Sequence, residues 1–156
     1  MAKSCNPTTN KKIILLTTLL VLSSLAFAGV LATNQLQSST ASAKISTSAG
    51  NIGIYSDSAC RQKISTLNWG AIPQGTQANR TVYLKNQCAT SLKLSMTTAN
   101  WSPTAACGQI TVSWNREGAT LKQNQVVPAT IKIDVASNAT VTYFNMDIAI
   151  TGVSEK

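Results

Sequence analysis

Residues 131–150 read IKIDVASNATVTYFNMDIAI. Ile131, Ile133 and Val135 alternate with Lys132 and Asp134, and Phe144, Met146, Ile148 and Ile150 alternate with Asn145, Asp147 and Ala149. A period of two sends successive side chains to opposite faces of a strand, so each run has one face for a core and one for water. Ser137-Asn138-Ala139 between them supplies turn chemistry. The same period recurs upstream. Val82 and Leu84 alternate with Thr81, Tyr83 and Lys85; Leu92, Leu94 and Met96 with Lys93 and Ser95; Ile110, Val112 and Trp114 with Thr111 and Ser113. Further strands near residues 52–55 and 64–69 bring the total to about seven. Pro73-Gln74-Gly75, Asn86-Gln87 and Asn115-Arg116-Glu117-Gly118 punctuate them. No stretch after Ala32 sustains an apolar face at 3.6-residue spacing. Strands with one buried face at this spacing predict two packed antiparallel sheets: an all-β, immunoglobulin-like antiparallel β-sandwich over residues 51–152, with a jelly roll as the alternative.

If the last two strands form a hairpin, two registers preserve their faces. One sets Asp134 opposite Asp147. The other, shifted by two, sets Lys132 against Asp147, Ile133 against Met146 and Val135 against Phe144. Opposite charges across a strand pair contribute about 0.2–1 kcal/mol and like charges oppose pairing, so the second register is expected.

The chain of 156 residues has 13 Lys and Arg, 5 Asp and Glu and no histidine. Lacking histidine, it cannot build most hydrolytic triads, most zinc sites or a histidine-ligated haem. The five acids, Asp57, Glu117, Asp134, Asp147 and Glu155, are scattered and form no calcium-loop run. The reading is a non-enzyme with no cofactor. Three lysines precede Ile13, and the other ten basic residues never cluster. Nucleic-acid readers concentrate their charge, so no nucleic-acid partner is expected.

Residues 13–32, IILLTTLLVLSSLAFAGVLA, carry no charge and follow Lys3, Lys11 and Lys12 in the n-region 1–12. As one apolar helix, the run matches a bilayer's hydrocarbon thickness. The lysines orient it with the N-terminus inside and the rest outside. It is read as a retained single-pass anchor in the cell membrane, with signal-peptide cleavage after Ala26-Phe27-Ala28 and secretion as the alternative. A pilin-type leader is a third possibility, but Lys11-Lys12-Ile13 lacks the small residue such processing wants. Residues 33–50, TNQLQSSTASAKISTSAG, are rich in Ser and Thr and poor in large apolar side chains, which predicts a flexible stalk. Residues 153–156 are a tail.

In the exported part, Asn138-Ala139-Thr140, Asn79-Arg80-Thr81 and Asn100-Trp101-Ser102 match the N-glycosylation acceptor. Asn138 ranks first because it falls in a turn, and Pro103 weakens Asn100. Trp114 shares the parity of core residues, and Trp69 is expected to cap one end of the sandwich. Trp101, placed in a loop before Pro103, is the one candidate for stacking on a ligand such as a sugar ring.

Cys5 precedes the anchor, leaving Cys60, Cys88 and Cys107 outside, where disulfides persist. Followed as a meander, strand 64–69 leads away from Cys60 and strand 81–86 returns, bringing Cys88 to the same end. Strand 92–96 then carries Cys107 to the other end. A strand of five or six residues spans about 17–20 Å, beyond the roughly 7 Å limit between bridged Cα atoms. The expectation is a Cys60–Cys88 bridge, contributing about 2–4 kcal/mol, with Cys107 free or intermolecular. Three unpaired small hydrophobes are the alternative.

The segments IYSDSAC (54–60), LNWGAIPQGTQANRTVYLKN (67–86), LKLSMTTANWSP (92–103), ITVSW (110–114) and VTYFNMDIAITG (141–152) resemble a group of small archaeal membrane-anchored envelope proteins. Their pattern is a Trp-Gly, a Pro-Gly-type turn, a strand ending in Asn, Asn-Trp-x-Pro and a closing strand of aromatics and aliphatics. More loosely the chain resembles immunoglobulin-like modules of the abnormal-spindle type. The resemblance implies one anchored sandwich and no catalytic residue. This chain departs from the pattern in Pro73-Gln74-Gly75 and in its extra cysteines.

These features predict a surface-displayed structural or adhesion module of the cell envelope, with envelope proteins or glycans as partners. One alternative is a subunit of an extracellular filament, self-associating through an exposed edge strand or by donating residues 41–50 to a neighbour's sheet. A glycan-binding module is the other.

Overall fold

The computed structural model describes residues 38–47 and 51–154. Among them, nine strands form two sheets: β1 (Ser38–Thr47), β2 (Ile52–Tyr55), β3 (Thr66–Pro73), β4 (Gln77–Asn86), β5 (Leu92–Ser102), β6 (Ile110–Trp114), β7 (Thr120–Leu121), β8 (Val126–Val135) and β9 (Tyr143–Ser154). One sheet runs β3-β1-β9-β5-β7 and the other β2-β4-β8-β6. The seven strands expected from alternation are all present, and β1 and β7 are added. The anchor segment 13–32 and the n-region lie outside the described residues. Among the described residues no helix is long and apolar enough to cross a membrane.

The alternation works as strand physics requires. In β8, Ala129, Ile131, Ile133 and Val135 are buried, while Thr130, Lys132 and Asp134 are half-exposed. In β9, Phe144, Met146, Ile148 and Ile150 are buried. With Val82, Leu84, Leu92 and Leu94 they form one continuous core. Fully burying each such side chain contributes about 1.5–3 kcal/mol.

Consecutive strands never share a sheet, because β1, β3, β5, β7 and β9 lie in one and β2, β4, β6 and β8 in the other. The expected hairpin of the last two strands is therefore absent. β8 pairs with β4 and β6, β9 pairs with β1 and β5, and neither Asp134 nor Lys132 faces Asp147 across a ladder. Residues 136–142 bridge the two layers rather than turn within one. They are pinned there, since the Gln109 side-chain oxygen accepts the backbone N–H of Thr140 at 2.6 Å and Ala136 N–H donates to Gln109 C=O at 2.9 Å. Lys132 instead pairs with Asp134 on its own strand, at 3.0 Å.

The expected stalk needs a larger correction. Residues 38–47 are β1, an interior strand, antiparallel to β3 and parallel to β9. Ser39, Ala41, Ala43 and Ile45 alternate into the core and are buried. Low hydrophobicity did not prevent order, because a slot with two unpaired walls satisfies the backbone groups of a strand that could not fold alone. Residues 33–37 and 48–50 lie outside the described residues. At the other terminus β9 continues to Ser154, two residues past the expected domain boundary.

One irregularity explains the Trp69-Gly70 dipeptide. The β1–β3 register slips between Ala41 and Ser42, opposite Gly70 and Asn68. Gly70 has φ +72°, and its N–H donates to the Asn68 side-chain oxygen at 2.8 Å. A bulge of this kind needs a residue that tolerates positive φ, which glycine does.

Candidate functional site

The carboxylates come first, as the side chains most able to do chemistry. Asp57 closes the excursion between β2 and β3 by accepting the backbone N–H groups of Gln62 at 3.0 Å and Arg61 at 3.2 Å. Those bonds, Gln62 foremost, hold its carboxyl below the usual range, with the Arg61 charge adding to them. Glu117 accepts the Ser95 hydroxyl at 2.7 Å, the Trp114 indole N–H at 2.7 Å and the Met96 N–H at 3.1 Å. It thus ties β6 to β5 across the open side of the sandwich. Its carboxyl is also held low, by Ser95 first and Trp114 second. Asp147 accepts from Asn100 at 2.7 Å, and Asp134 pairs with Lys132. Among the described residues no group of three or more His, Cys, Asp or Glu is placed to hold a metal ion.

The expected Cys60–Cys88 bridge is absent: Cys60, Cys88 and Cys107 are free thiols. The meander reasoning assumed that β3 and β4 lie side by side, whereas they belong to different sheets. Ile52 pairs with Asn86 and Tyr55 with Tyr83, so Cys88 follows one end of β2 and the loop carrying Cys60 leaves the other. At about 3.3 Å per residue, β2 alone separates those ends by roughly 10 Å, beyond bridging reach. Cys60 sits at positive φ, 55°, in that loop. Cys107 lies past the far end of β5, in the 3-10 turn Thr104–Gly108, and is exposed.

Asn138 and Asn79 are exposed, Asn138 in the turn after β8 and Asn79 on β4. Asn100 is exposed at φ 52°, its amide already engaged by Asp147. Trp101 belongs to β5 rather than a loop, is half-buried, and stacks on core Phe144 with ring centroids 6.1 Å apart and planes 28° from parallel. That face is therefore occupied. Trp114 is half-buried at the core margin, and Trp69 is buried on β3 instead of capping an end. A cleft of about 240 Å³ opens where β1 ends and β2 begins, lined by Ile45, Thr47, Ile52, Ile54, Lys63 and Ile64.

The feature that alternation at larger residues missed is the seat of β1. Eight residue pairs join β1 to β9 and seven join it to β3. Ser39 Oγ donates to the Val141 carbonyl at 2.5 Å, and Ser42 Oγ meets Asn145 Oδ1 at 2.5 Å. The signal was the spacing of Ser39, Ala41, Ala43 and Ile45, hidden by their small size.

Of the four outer strands, β7, β2 and β3 are short or covered. β7 has two residues and β2 has four. The free side of β2 is covered by residues 62–64 through Ser56 N–H to Gln62 C=O, 3.0 Å, and Ile64 N–H to Ile54 C=O, 3.1 Å. Arg80 on β4 reaches the Asn68 carbonyl of edge strand β3 at 2.9 Å. Short edges and charged edge cover oppose strand-to-strand aggregation. The sequence matches no protein-family model, and no curated protein matches it.

Proposed function

We propose that this chain is a non-enzymatic, surface-displayed β-sandwich serving as a structural or adhesion module of the cell envelope. One observation carries the reading: of the described carboxylates, Asp57, Glu117 and Asp147 are engaged in hydrogen bonds that tie parts of the fold together, and Asp134 pairs with Lys132 on its own strand. Those three described carboxylates serve rigidity, which suits a load-bearing or displayed module. The uncharged run 13–32 after three lysines supports export, with the membrane as its partner. Within the class of sandwiches, immunoglobulin-like domains keep some hairpin-joined strands in one sheet. The strict alternation of strands between sheets departs from that pattern. The stacking of Trp101 on Phe144 counts against a glycan-binding role for that ring.

Shaving intact cells with protease tests the proposal. A C-terminal epitope should be lost from whole cells while an N-terminal one is protected. An epitope pattern protected at both ends until the cells are lysed would overturn it.

A further inference from the structure

We infer that β1 is an exchangeable strand and that its partner is a second copy of this chain, the β1 of one copy filling the seat between β3 and β9 of the next. The inference rests on the reading of an exported structural module and names that module's partner.

Its ground is the strand order. Set β1 aside, and the remaining eight strands wind alternately into two layers of four, β3-β9-β5-β7 and β2-β4-β8-β6. That is the strand count of a jelly roll. Because β3 is antiparallel to β1 and β1 is parallel to β9, β3 and β9 run antiparallel to each other. They have the orientation of ordinary neighbours, yet they are held apart by a ninth strand. The β1–β9 ladder is the one parallel pairing among the described strands. β1 is thus an insertion into a body whose winding is otherwise regular.

The seat recognises β1 by features that every copy carries. The bulge at Gly70 sets the register on one wall, and Ser39 and Ser42 bond to Val141 and Asn145 on the other. The bulk of the contact is backbone pairing, with two alanines and one isoleucine as the buried apolar side chains. None of these contacts depends on whether strand and body belong to the same chain. Strand donation of this type takes its affinity from main-chain hydrogen bonds and its specificity from alternate side chains.

One observation favours exchange. The outer edge strands β7, β2 and β6 have two, four and five residues and β3 is met by Arg80, whereas the β1 seat offers two walls seven and eight residue pairs long. A strand passed head to tail yields an open chain of copies, and a reciprocal exchange yields a closed pair.

The test uses the full chain on cells, with its four cysteines replaced by serine. Ser42 and Asn145 already touch, so Ser42→Cys and Asn145→Cys place two thiols in bonding reach across the β1–β9 ladder. Each is introduced on a separate chain and the two are co-expressed, then oxidised with copper phenanthroline. Exchange predicts a band of twice the chain mass that neither chain yields alone, and a ladder or a doubled band from the doubly substituted chain. Lys44→Cys with Thr66→Cys, an exposed pair on the β1–β3 wall, repeats the test independently. Links confined to single chains in both pairs would overturn the inference, and so would no link in either. Protease shaving of the same cells separates the two ideas. Intrachain links in a protease-accessible domain sink exchange alone, whereas a protected domain sinks the module reading.

Discussion

Asn86 is the sharpest place to test the energetics of this sandwich. It ends β4 and its side chain is fully buried. The amide nitrogen donates to the Thr90 carbonyl at 2.8 Å and the Leu121 carbonyl at 2.9 Å, and the amide oxygen accepts the Cys88 N–H at 2.8 Å. One side chain thereby joins the end of β4, the crossover to β5 and the short strand β7. Replacing it with alanine removes three hydrogen bonds worth about 1 kcal/mol each and leaves two carbonyls and one N–H to be satisfied by whatever water can enter. The expected loss is about 3–4 kcal/mol, a large fraction of the roughly 5–15 kcal/mol that holds a domain folded. With a urea dependence of about 1–3 kcal/mol per molar, the unfolding midpoint should fall by at least 1 M. Tryptophan fluorescence can follow the transition. Asn86→Asp is a stringent companion, because it keeps the acceptor for Cys88 but turns a carboxylate toward two carbonyl oxygens. It should be at least as damaging. A midpoint change worth less than about 1 kcal/mol in Asn86→Ala would refute the reasoning, since the network would then be exchanging freely with water.

Three other outcomes are expected. Asp57 and Glu117 have depressed folded-state pKa values, so their contribution is full above the unfolded values and is lost as pH falls through the folded ones. Stability should therefore decline below about pH 4, with a shallower acid limb in Glu117→Gln or Asp57→Asn; an unchanged limb in both variants would contradict the bonding described. Trp101→Ala should destabilise by about 2 kcal/mol in urea unfolding, less than a fully buried aromatic, by removing its stack on Phe144; a stable variant would mean the ring contributes little to the core. Alkylation of the native protein without reductant should modify exposed Cys107 first, with half-buried Cys60 and Cys88 slower, and peptide mapping should recover no Cys60–Cys88 bridge; recovery of that bridge would contradict the strand order.

Much of the fold was present in one-dimensional periodicity. Wherever large apolar residues alternated, as at Ile131–Val135 or Phe144–Ile150, the strand and its buried face could be read directly, because side-chain direction along a strand is a local geometric rule. Asn138 could be placed in an exposed turn for the same local reason. Sheet membership could not, because a strand with one apolar face is equally suited to either layer of a sandwich. The hairpin expected for β8 and β9 and the bridge expected for Cys60 and Cys88 both assumed that chain neighbours are sheet neighbours, and the alternating winding removed both.

Two residues show the same division from the other side. Trp101 looked available from its position before Pro103, and only the packed structure brought Phe144 beneath it. β1 looked like a spacer because a strand of serine and alanine contributes little transfer free energy by itself. The alternation of Ser39, Ala41, Ala43 and Ile45 was in the sequence, but its meaning depended on two walls, β3 and β9, that lie far along the chain and meet only after folding. By itself the sequence determined seven of the nine described strands and which of their faces seek burial, since both follow from local covalent geometry and hydrophobicity. Tertiary structure alone decided which strands are neighbours, because that choice is made by long-range packing and backbone hydrogen bonds that have no local signature.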